Sequence, residues 1–237
     1  MEEKMNSNKK TARIAGFLYL IMAVCSAFSM LYVDPKLYVS GDAAATVSNI
    51  LASEWLFRLG FVSNLVGQII FLFLVYALYK LLKSVDKDHA KLMVMLVVAS
   101  VPVACLNMLN QFAPILLLSG AGHLSAFNPA QLQALAMVFL DMQKHGISIA
   151  QILWGLWLFP LGLLVFKSGF FPKVLGVLLM LGCFGYLVDC LVIFLFPSYE
   201  VITYPGIAIS AVAEFSFIFW LLFKGAKDQK PATTKAI

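Results

Sequence analysis

Charge is scarce in this sequence: of 237 residues, 12% are Asp, Glu, Lys or Arg, while 62% are hydrophobic. Soluble domains average about 25% charged and about 45–50% apolar residues, so the composition points away from a water-soluble globule. Histidine is rarer still, with three in the chain, and no HExxH or histidine pair at helical spacing occurs. A metal set drawn from His145, Asp189 and Glu214 is therefore without motif support, and no metal or cofactor is expected. The four cysteines, Cys25, Cys105, Cys183 and Cys190, form no CxxC pair and all fall inside apolar runs. Cys183 and Cys190 stand two helical turns apart, too far for a disulfide, so all four read as small buried hydrophobes. Neither GxSxG, a Walker sequence nor GxGxxG appears in the setting its chemistry requires.

What the chain has in quantity is long apolar runs, over about residues 14–33, 56–79, 92–118, 146–166, 174–196 and 205–223. Each supplies the roughly 20 residues that a helix needs to cross a hydrocarbon core of about 30 Å. The basic residues flank these runs unevenly. Lys4, Lys9, Lys10, Arg13, Lys80, Lys83, Lys87, Lys91, Lys167, Lys173, Lys224, Lys227, Lys230 and Lys235 fall on one side, against Lys36, Arg58 and Lys144 on the other. By the positive-inside rule the richer side is cytoplasmic, which places both termini there and agrees with an even number of crossings. The same distribution accounts for the net charge of +5 through topology and anionic lipid, so no nucleic-acid partner is expected. The first run is longer than the core of a signal peptide and lacks a clean cleavage site, so it reads as an uncleaved anchor. The expected division is a tail over 1–13, a six-helix domain over 14–224 and a disordered cytoplasmic tail over 225–237.

Two short amphipathic helices are expected in the outer loops. Asp42 can cap a helix whose run AAATVSNILASEWLFR leads into the second span. Asn128, with Pro129 at the first position, opens a helix of about 15 residues. Its apolar face comprises Leu132, Leu135, Phe139 and Leu140, and it would lie on the membrane surface or cover the bundle. Every span also carries a stripe of small or polar residues: Gly16, Ala23 and Ala27; Gly60, Asn64 and Gln68; Ser100, Ala104, Asn107 and Gln111, with Asn110 beside them. The later stripes are Ser148, Gln151, Gly155 and Gly162; Gly182, Gly185, Tyr186 and Asp189; and Gly206, Ser210 and Glu214. Small residues allow helices to approach and amides hydrogen-bond across the contact, so these faces point inward.

Asp189 and Glu214 require an explanation, because an ionised acid at mid-span costs about 2.5–3.5 kcal/mol on insertion scales. No lysine or arginine lies at similar depth. The carboxyl is then protonated, binds a cation or faces a water-filled cavity. At about 1.5 Å per residue, Asn64, Asn107, Asn110, Gln111, Gln151 and Asp189 fall toward the outer face and Glu214 near the midplane. With Gln68, Tyr186 and His145 at the start of span four, they suggest a polar vestibule open to the outside. The amides can equally be interhelical glue, and His145 an interfacial side chain.

Five blocks carry a resemblance: KTARIAGFLYLIMAV, GDAAATVSNILASEWLFRLG, LLLSGAGHLSAFNPAQLQALAMVFLDMQKHG, GFFPKVLGVLLMLGCFGYLVDC and AVAEFSFIFWLLFKG. Together they resemble the bacterial domain-of-unknown-function 4386 family over about residues 9–225. The resemblance implies a polytopic membrane protein and brings no activity, substrate or catalytic residue. The expected architecture is an all-α integral membrane bundle of six transmembrane helices in the inner or plasma membrane. Its expected role is binding or moving a small molecule or cation around Asp189 and Glu214. An intramembrane enzyme using those acids as acid and base stays open, as does an accessory or immunity-like protein without such chemistry. Six spans are few for a self-sufficient carrier, so transport would favour a homodimer.

Overall fold

Proline and glycine decide where the apolar runs of this chain bend and how closely they pack. The computed structural model describes residues 2–226, and among them the regular structure is entirely helical. Its helices are α1 (Glu2–Ala27), α2 (Asp34–Leu37), α3 (Ala43–Ala52), α4 (Glu54–Leu82), α5 (Lys87–Leu117), α6 (Pro129–Leu156), α7 (Leu158–Lys167), α8 (Lys173–Leu195) and α9 (Tyr204–Phe219). Six stretches are long and apolar enough to cross a membrane: Asn8–Leu37, Glu54–Leu82, Lys87–Leu117, Pro129–Lys167, Lys173–Leu195 and Pro197–Lys224. The six runs read from the sequence all lie within or largely within them. The protein is a multi-pass α-helical membrane protein.

The spans are not uniform rods, and the interruptions have identifiable causes. Between α1 and α2 the first span widens into a π-helical turn at Phe28–Val33. Pro35 follows, whose ring clashes with the carbonyl four residues back and which has no N–H to satisfy it. In the fourth span the hydrogen-bond ladder, though not the helical backbone, breaks at Trp157, between α6 and α7. Pro160 accounts for that break, because the Leu156 carbonyl has no N–H to receive in the ordinary register. Pro102 and Pro114 remain inside α5, where packed neighbours help a membrane helix tolerate them.

The caps follow the sequence closely. Asp42 accepts from Ala45 N at 2.8 Å, and Asn128 and Gln131 form a reciprocal capping box with both bonds at 2.9 Å. The first loop helix exists as α3 but stops at Ala52, with Ser53 leaving helical geometry before α4 begins. The second does not exist as a separate element. From Pro129 the chain runs as one helix to Leu156, since no proline interrupts it, so the expected surface helix is the first half of a long fourth span. The expected tail lies outside the described residues from 227 onward.

Glycine faces bring α8 against α6, α7 and α9. A Cβ on Gly185 would sit 2.4 Å from the Gly206 carbonyl oxygen, and one on Gly162 would sit 2.6 Å from that of Gly176. Backbones this close leave no room for a side chain. The large core joins α1, α4, α5, α7, α8 and α9, while a smaller cluster of Val33, Leu37, Ile50, Phe57, Ile115 and Leu140 packs at the α3 end. Side chains such as Phe17, Met95, Leu106, Phe184 and Phe223 stay exposed on the outer surface of the bundle, where a bilayer would cover them.

Candidate functional site

Glu214 projects from α9 on the Gly206–Ser210 face, and both of its carboxyl oxygens are engaged. The Tyr186 hydroxyl of α8 donates to Oε1 at 2.7 Å, and the Tyr19 hydroxyl of α1 donates to Oε2. Tyr19 is 1% exposed, and its ring lies 5.9 Å from that of Trp157, which in turn meets Phe71 edge-on at 5.0 Å. Trp157, at the junction of α6 and α7, thus buttresses the tyrosine that holds the acid. Tyr186 is fixed from the other side, because its Cβ stands 2.8 Å from where Gly155 would carry one.

Asp189 lies one turn along α8 from Tyr186 and is 9% exposed. Gln151 of α6 donates to its Oδ2 at 2.7 Å and lies 3.4 Å from the Tyr186 carbonyl oxygen. Tyr186 therefore links the two acids: its main chain faces the Gln151–Asp189 pair and its hydroxyl reaches Glu214. Ser210 tightens the same helix pair, with Oγ 2.8 Å from the Gly182 carbonyl oxygen. Spans one, four, five and six converge on this cluster.

The other residues predicted for the site find different partners. Asn64 donates to Ser29 Oγ at 3.0 Å, joining the second span to the first. Asn107 donates to the Gln143 carbonyl oxygen at 2.8 Å and accepts from Asn110 at 3.1 Å, joining the third span to the fourth. Gly146 makes room for that amide, since a Cβ there would come 1.9 Å from Asn107 Oδ1. Gln111 is buried, with its Oε1 unpartnered like that of Gln68. His145 is exposed and packs against Phe194 at 5.8 Å. Among the described residues, His, Cys, Asp and Glu form no group of three that could hold a metal.

Tyr19 escaped the sequence reading. Its signal was present: Tyr19 stands three residues after Gly16 and four before Ala23, on the small-residue stripe of span one. A tyrosine on an inward face needs a partner for its hydroxyl, and an unpaired acid in another span is the natural one.

All of these residues lie within residues 14–225, the stretch matched by the family described as "Domain of unknown function (DUF4386)". The chain belongs to that family. A relative from Archaeoglobus fulgidus, described as an uncharacterized protein, is 36% identical over 88 residues, covering 37% of this chain and 51% of the relative. The match thus spans about half the length of that curated relative, and because the relative is archaeal, membership does not by itself assign a bacterial source. No solved structure matches this DUF4386 chain.

Proposed function

We propose that the protein binds and moves a small cation, protons included, through the cell membrane, with Glu214 as the exchanging group and Asp189 as its acidic neighbour. The observation that carries this reading is the pair of tyrosine hydroxyls on the two oxygens of a mid-span carboxyl. An ionised acid at that depth costs about 2.5–3.5 kcal/mol. Hydrogen bonds to a charged group each contribute about 1.5–3 kcal/mol, so two phenolic donors are of the size to offset that cost. A phenol can also accept, so the same pair can satisfy the protonated acid by turning one hydroxyl. A carboxyl held equally well with and without its proton is what proton exchange or cation exchange requires.

The test is Glu214→Gln, in purified full-length protein reconstituted into liposomes. The amide retains hydrogen-bonding capacity, so thermal stability should stay close to that of the parent. Currents driven by proton, sodium or potassium gradients should disappear. A folded Gln variant with undiminished currents, or a parent protein silent to all three gradients, would sink the reading and leave Glu214 as an interhelical fastener.

A further inference from the structure

The basic end of α1 carries a second feature, separate from the buried acids. Lys9, Lys10, Arg13, Ile14, Phe17 and Leu18 line a groove of about 460 Å³. On a helix these form two adjacent rows at fourfold spacing, Lys9–Arg13–Phe17 and Lys10–Ile14–Leu18. Each row begins with cations and ends in apolar side chains, so charge sits at one end of the groove and hydrocarbon at the other. Ile14 and Phe17 are 48% and 57% exposed. The three cations form no ion pair with an acid among the described residues.

Span six closes in beside the groove. A Cβ on Gly16 would meet Leu221 Cβ at 2.8 Å, and one on Gly225 would meet Lys9 Cγ at 3.1 Å. Gly225 adopts φ +65° and ends the π-helical turn Trp220–Lys224, whose last residue, Lys224, is a fourth cation at the same end of the bundle. Lysine and arginine bind phosphate oxygens through charge-assisted bonds, while an acyl chain would follow Ile14, Phe17 and Leu18.

We propose that this groove is a binding site for an anionic phospholipid, with the phosphate held by Lys9, Lys10 and Arg13 and one acyl chain along the apolar end. A soluble anion would make no use of Ile14, Phe17 and Leu18 at the apolar end of the groove, and a zwitterionic lipid would leave the cations uncompensated. Charge complementarity with the apolar continuation therefore selects an anionic amphiphile. The site is independent of the proposed role of Glu214.

Native mass spectrometry of the full-length protein, titrated with phosphatidylglycerol or phosphatidylcholine of matched chains, tests it. Each cation near an anionic lipid contributes about fivefold, so Lys10→Gln with Arg13→Gln should lower the phosphatidylglycerol preference by about tenfold or more. The charge-matched control, Lys80→Gln with Lys83→Gln, should keep it, and so should Lys10→Arg with Arg13→Lys. Phe17→Ser should weaken retention of both lipids while leaving the preference in place. Equal loss in the control pair, no loss in the Lys10/Arg13 pair, no change in retention in Phe17→Ser, or complete displacement of the lipid by inorganic phosphate would each overturn the proposal.

Discussion

Two hydroxyls and one carboxyl form the smallest unit on which this molecule depends. Tyr19 and Tyr186 each hold one oxygen of Glu214, so Phe at either position removes one donor. Each single change should lower stability by about 1–2 kcal/mol, the scale of a buried hydrogen bond between membrane helices. The double change should cost more than the sum, because only then is the acid left without any donor. Unfolding of the two single variants and the double variant in detergent is the measurement, and simple additivity would show that the hydroxyls do not share one partner. Among the described residues Asp189 has a single side-chain donor in Gln151, so Gln151→Leu should be at least as damaging as either tyrosine change. The legibility of these residues differed. Asp189, Glu214, Tyr186 and Gln151 stood out as polar groups on small-residue faces, whereas Tyr19 passed as one more aromatic residue in an apolar span.

Among the helices, close approach is the controlling quantity. Gly185→Ala would drive a methyl against the Gly206 carbonyl oxygen on the neighbouring helix, and neither backbone can yield without separating α8 from α9. The expected loss is about 1–3 kcal/mol, with displacement of Tyr186 from Glu214. Gly122→Ala, where an added Cβ meets nothing within 4 Å, should be close to neutral. Equal melting temperatures for the two variants would contradict the tight α8–α9 contact.

Asp86 joins elements differently, by charge. It caps α5 through His89 N at 3.2 Å, pairs with the His89 ring at 2.8 Å and receives Lys167 Nζ at 3.2 Å. The loop after α4 is thereby tied to the end of α7. The His89 backbone N–H, followed by Lys167, holds the Asp86 carboxyl at about 2, below the ~3.9 of a free aspartate. A depressed folded value means a contribution fully present above the unfolded value and lost as pH falls from about 4 toward 2. Asp86→Asn should remove that part of the acid dependence, seen as a flatter stability profile over this interval. An unchanged profile would assign the acid sensitivity to other carboxyls.

For the whole molecule, six crossings return the chain to the side on which it began. The basic residues predict that side to be the cytoplasm: a reporter fused after Lys235 should be cytoplasmic and one inserted near Asn128 external. A reporter that works only outside the cytoplasm, active at the C-terminus, would reverse the orientation.

The sequence by itself determined the six spans, because a 20-residue apolar run has no other way to satisfy its backbone in lipid than as a helix. It also determined the caps at Asp42 and Asn128, since a capping bond reaches only three residues along the chain. Which polar residues meet was decided by tertiary structure alone. Asn64, Asn107 and Gln111 share the inward-facing pattern of Gln151 and Asp189, yet Asn64 and Asn107 bond to Ser29 and Gln143 instead. Periodicity places a side chain on a face but does not say which face lies opposite. That choice comes from the glycine contacts among α6, α7, α8 and α9. Those contacts depend on residues far apart in the chain packing at van der Waals distance.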